Sequence, residues 1–249
     1  MSGLPVKQFY DYRTPKTNPS SHKYASFGSE ELQRKNTSIL FLYEGPNGLS
    51  LVAVHDKIDA GDGGAVTFRV TNLPAKGKLV VKDDSYNSST NLDTWDYSKN
   101  RNWKGKESAS ANISWAWDSG SSDGFVYRGL GNQFEFTIYP QFNENAILSD
   151  ENNGKLKQWE FLSGNMNDPS RTKLDMTKPV TISSKPCQQE TTPQQTARNT
   201  KEKDRGKHTT SSKPSTNQKI NKDQSIFDQI WNGFVSALES LVSFFTSLF

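Results

Sequence analysis

Residues 38–55 read SILFLYEGPNGLSLVAVH. Two apolar runs rich in β-branched and aromatic residues, SILFLY and LSLVAVH, flank EGPNG. Its Asn47-Gly48 pair marks a hairpin of the longer-loop kind. Outward from this hairpin the same pattern recurs. Val66, Phe68 and Val70 alternate with Thr67, Arg69 and Thr71, Ile113, Trp115 and Trp117 with Ser114, Ala116 and Asp118, and Phe134, Phe136 and Ile138 with Glu135, Thr137 and Tyr139. A period of two places each apolar set on one face of a strand. KLVVK (78–82), GFVYRG (124–129), KQWEFL (157–162) and PVTIS (179–183) bring the expected strands to roughly nine. No helical period runs through this region, so crossover units with a parallel sheet are disfavoured. The expected fold is all-β, an antiparallel β-sandwich over residues 37–186.

The flanks differ in composition. Residues 1–36 mix Pro, Ser, Lys and isolated aromatics without a period, which reads as an extended or flexible N-terminal arm. Residues 187–223 contain almost no apolar side chain and carry a local net charge of +4, the signature of a disordered basic linker. The sandwich holds the alternating core positions, and it is expected to fold without arm or tail. Its start lacks an apolar segment behind a basic one, so no Sec-type leader is expected, and a cytoplasmic or peripheral-membrane location is favoured. The single cysteine, Cys187, cannot form an intramolecular disulfide. A hydrophobic fraction of 32% argues against an integral membrane protein, and a net charge of +3 supplies no global field for nucleic acid, which is disfavoured as a partner.

Residues 224–249, QSIFDQIWNGFVSALESLVSFFTSLF, predict one amphipathic α-helix. At about 100° per residue its apolar side chains fall within an arc of roughly 180°. Phe227, Ile230, Trp231, Phe234, Leu238, Leu241, Phe245, Leu248 and Phe249 form the expected docking face. A stripe of that area calls for a membrane surface, a hydrophobic groove on another protein, or self-association through the tail. The opposite face, rich in Ser, Thr and Asn and poor in Lys and Arg, resembles in composition the amphipathic lipid-packing sensors, which rely on apolar insertion. The cationic linker before it adds attraction to anionic lipid.

Catalytic candidates are few. Of the three histidines, only His55 falls within the expected sandwich, too few for a triad or a His-rich zinc site. No GxSxG, HExxH, paired CxxC or P-loop motif occurs. Carboxylates are plentiful, Asp123 and Glu135 among them, but their separations are not legible in sequence. A non-enzymatic binding module is expected. The densest acidic stretch, HDKIDAGDGG, places Asp56, Asp59 and Asp62 before two glycines, a candidate Ca2+ site with Asp83 or Asp84 as added ligands. Its spacing matches neither an EF-hand nor a nonapeptide calcium repeat. Trp115 and Trp117 share a strand face with Ile113 and are expected in the core. Trp95, Tyr97 and Trp103 lie in a polar, loop-like segment and form the candidate platform for a glycan, with Lys99, Arg101, Lys104 and Lys106 able to meet phosphates.

The favoured function is a β-sandwich binding module recruited to a membrane surface or hydrophobic protein groove by the C-terminal helix. Its alternatives are a carbohydrate- or calcium-binding module attached to a carrier complex, and a membrane-damaging protein.

Overall fold

The computed structural model describes residues 1–12, 26–85 and 92–185. The linker and the amphipathic helix expected beyond residue 186 lie outside them, with the entire predicted docking face. Two sheets face one another. The first has the order β10 (Pro169–Leu174), β9 (Gln158–Gly164), β1 (Thr37–Gly45), β2 (Gly48–His55), β7 (Asp123–Arg128), β4 (Lys78–Lys82). The second runs β11 (Val180–Ser183), β8 (Glu135–Phe142), β3 (Gly64–Pro74), β6 (Glu107–Trp117), β5 (Thr94–Arg101). The β1–β2 hairpin pairs without interruption from Ser38 opposite His55 to Gly45 opposite Gly48. All pairings are antiparallel except that of β1 with β9, which is parallel.

The all-β sandwich thus has eleven strands among the described residues. The two strands not anticipated are β5 and β10, each at the edge of its sheet. An edge strand is hydrogen-bonded on one side only and carries polar side chains that discourage further pairing, so its apolar alternation is weak. TWDYSKNR and PSRTKL show this. The stretch around Trp95 is accordingly strand rather than loop.

The inter-sheet core joins Leu40, Leu51, Ala53, Phe125 and Tyr127 of the first sheet to Val66, Phe68, Ile113, Trp115, Phe136 and Ile138 of the second. Trp115 and Trp117 lie in this core as their spacing requires. A second core covers the outer face of the first sheet. There Ile39, Phe41, Tyr43, Val52, Val54 and Val126 pack under Val6, Phe9, Tyr10 and Leu32. Phe9, at the end of the short helix α1 (Val6–Phe9), stacks on Tyr43 with ring centroids 4.5 Å apart.

The described parts of the expected arm are therefore packed across the sheet. β1 and β2 are apolar on both faces, and such strands persist only where both faces are covered. The covering segment is fastened by Arg171, which donates to the Leu32 carbonyl at 2.6 Å and pairs with the buried Glu160 at 2.7 Å.

Candidate functional site

The loops gather at two poles. One is formed by the β1–β2, β3–β4 and β5–β6 turns, and Lys185, two residues beyond β11, leaves the sandwich here beside Glu135, at 3.3 Å. At this pole the β5–β6 turn is built around Asn102, whose side-chain oxygen accepts the backbone N–H groups of Lys104 at 3.0 Å and Lys106 at 2.9 Å. Gly105, at φ +79°, lets the chain reverse. Arg101 and Glu107 pair across the base. The Glu107 carboxyl is held below its usual range by Arg101 first, with Lys99 and Lys76 contributing. On this braced turn the Trp103 ring is 89% exposed, with the Lys104 ammonium 4.8 Å from its centroid.

The three aromatics expected to share a ligand platform are not brought together. Trp95 is half-buried and meets Trp115 edge-on at 5.5 Å. The Tyr97 hydroxyl points to the Gly77 carbonyl at 3.3 Å. Six residues of strand, about 20 Å at 3.3 Å per residue, run from Trp95 to the turn that carries Trp103. An open cavity of about 610 Å³ at the same pole is lined by Glu44, Leu49, Lys76, Phe134 and Ser184 among others, a mixed lining with no convergent set of titratable groups.

The opposite pole holds the acidic residues. Asp56 is buried at φ +71°. One of its oxygens accepts the N–H groups of Asn36 at 2.6 Å and Lys57 at 2.9 Å, the other those of Gly63 at 3.2 Å and the Trp117 indole at 3.4 Å. It is a clasp joining the end of β2 to the start of β3. Asp59 is exposed, and Asp62 pairs with Lys35 at 2.7 Å and accepts the Asn36 amide at 2.7 Å. Asp56 and Asp62 are thus engaged by protein groups, Asn36 serving both, Asp59 lies exposed, and the three do not form a convergent set.

A different set does converge. Asp83 and Asp84, directly after β4, and Asp123, at the start of β7, each offer a carboxylate oxygen within 4.8 Å of the others. The antiparallel β4–β7 pairing places them there: Lys82 lies opposite Phe125, and the Asp83 N–H donates to the Gly124 carbonyl at 3.3 Å. Tyr10 donates to Asp83 Oδ2 at 2.8 Å, Ser26 donates to the same oxygen at 3.2 Å, and Tyr12 donates to Asp84 at 2.9 Å. Asp83 Oδ1 is buried without a hydrogen-bond partner. Burial, then the charge of neighbouring carboxylates, raises Asp83 and Asp123 well above the ordinary range, and burial pushes nearby Asp93 up to about 8. These residues can hold a hard cation. Asp83 and Asp84 were legible as candidate added ligands, but Asp123 lies some forty residues away, and only strand register brings it in.

His55 is fully buried, between Phe68, Trp115 and Trp117. His22 and His208 lie outside the described residues. Among the described residues, no helix is long and apolar enough to cross a membrane. Comparison with family models, with curated proteins and with solved structures found no match to this chain.

Proposed function

We propose that the chain is a non-enzymatic β-sandwich binding module that docks on an anionic membrane surface, recruited by the amphipathic helix expected over residues 224–249 and seated through the basic pole. The observation that carries this reading is Trp103. A large aromatic ring held 89% exposed on a braced turn is not a loose loop residue but a presented one. Trp prefers the boundary between headgroups and acyl chains, where one part of the ring is dry and its N–H stays wet. Lys99, Lys104, Lys106 and Lys76 around it supply attraction of about 1 kcal/mol each to an anionic leaflet. Lys185, the last described residue before the basic linker sequence, lies at this same pole.

Vesicle flotation of the full chain tests the proposal. Binding is expected to phosphatidylserine-containing vesicles above neutral phosphatidylcholine ones, weakened only partly by salt because screening spares the apolar contribution. Phe234→Asp with Leu241→Asp should nearly abolish flotation, and Trp103→Ala with Lys104→Glu and Lys106→Glu should weaken binding at least about thirtyfold, the roughly 2 kcal/mol of the two lysines alone. If the wild-type chain stays unbound to every vesicle while its tail retains a protein partner, membrane docking is wrong and the helix is a protein-docking peptide.

A further inference from the structure

We propose that Asp83, Asp84 and Asp123 form a binding site for a hard divalent cation of the calcium class, at the pole opposite the Trp103 turn. Two oxygens bound to one calcium at about 2.4 Å can be no more than about 4.8 Å apart. The three carboxylates meet that bound with no rearrangement. An acidic cluster alone would not suffice, since solvated carboxylates often gather without an ion. Here two of the three carboxylates are buried and Asp84 is half-buried. Asp83 is 0% exposed and Asp123 2%.

Asp83 keeps one oxygen, Oδ1, buried and without a donor, although Tyr10 and Ser26 both serve the other. Among the described residues, neither Asp83 nor Asp123 pairs with a cationic side chain. A buried carboxylate oxygen without a donor is unfavourable, and neighbouring carboxylates make it more so. A proton or a cation between them would relieve this cost. Asp56 shows the contrast: its oxygens are satisfied by four N–H groups and need nothing further.

The donor set selects the ion. It is all oxygen, with no His or Cys, which favours a hard cation over zinc or copper. Three carboxylates can supply up to about six oxygens, the lower end of the calcium range. Magnesium, which keeps several of its waters, fits a buried set less well. The ligands stand at the ends of two paired strands, and Tyr10 and Ser26 of the N-terminal segment close over Asp83, so occupancy would also fasten that segment to the sandwich.

The test uses the full chain and terbium as a luminescent calcium substitute. Tyr10 bonds to Asp83 and Tyr12 to Asp84, so aromatic excitation should sensitise terbium emission, and added calcium should quench it by displacement. Calcium should also raise the melting temperature relative to chelator. Asp123→Asn removes a charged ligand with almost no change of side-chain volume, and it should weaken terbium and calcium binding at least tenfold. Asp59→Asn and Asp62→Asn should leave the binding intact. Should Asp123→Asn fail to fold, Asp84→Asn takes its place in the same comparison. Absence of sensitised emission and of a calcium-dependent melting shift in the wild type would overturn the proposal, leaving protons as the occupants. Full emission in the Asp123→Asn and Asp84→Asn variants would overturn it as well, placing the ion elsewhere.

Discussion

His55 shows how far one residue's role depends on its surroundings. A lone histidine in an otherwise His-poor domain invites a catalytic reading, yet this ring serves as an aromatic filler, 5.7 Å from Trp117 and nearly parallel to it, with Nδ1 hydrogen-bonded to Ser38 at 2.8 Å. Burial disfavours its charged form and lowers its pKa from 6.5 to about 3. The unfolded chain binds the proton first, so the stabilisation from neutral His55 is complete above pH 6.5 and is lost as pH falls toward 3. Between pH 7.5 and 5 the loss amounts to about 2 kcal/mol. Urea titrations of wild type and His55→Gln at the two pH values isolate this contribution, because other groups titrate alike in both proteins. The stability advantage of the wild type should narrow by that amount at pH 5. An unchanged gap would mean that the ring is protonated in the folded state or reached by water.

At the scale of elements, the edge strands decide where function can sit. β5 is paired on one side only, and its inward residues Trp95 and Tyr97 are drawn onto the core while its turn projects. The turn itself is local: Asn102 organises it by accepting two backbone N–H groups, a role that Asn readily fills. Stability and presentation should therefore separate in two variants. Trp103→Ala removes an exposed ring and should change the unfolding free energy by no more than about 0.5 kcal/mol. Asn102→Ala deprives two N–H groups of their acceptor and should cost about 1 kcal/mol, with faster hydrogen exchange at Lys104 and Lys106. A large loss in Trp103→Ala would show that the ring is a structural contact, and the docking role proposed for it would lose its basis. The sequence located Trp103 among polar residues correctly but read its neighbours as loop, because an exposed edge carries no apolar alternation.

For the whole molecule, the decisive feature is the second core outside the first sheet. Burial of Val6, Phe9, Tyr10 and Leu32 contributes a gross 6–12 kcal/mol at about 1.5–3 kcal/mol each, as large as the net stability of most domains. A fragment of residues 37–186 was expected to fold alone. With its cover removed it should expose Ile39, Phe41, Tyr43, Val52 and Val54, bind a hydrophobic dye and lose a cooperative melt, whereas residues 1–186 should melt cooperatively with a β-rich circular dichroism spectrum. Equal melting temperatures for the two fragments would show that the packed N-terminal segment contributes nothing to stability.

What the sequence by itself determined is local and periodic. The hairpin at residues 38–55, the alternating faces of β3 and β6 and the core positions of Trp115 and Trp117 follow from backbone geometry, which each stretch obeys without reference to the rest. The unbroken apolar runs of β1 and β2 also imply that something covers their second face, but not what. Tertiary structure alone decided that the cover is the N-terminal segment, that Asp56 is a clasp, and that Asp123 meets Asp83 and Asp84. Each of these depends on the register and stacking of elements distant in sequence. Such pairings are set by the free energy of burying whole faces together, which no single window of residues records.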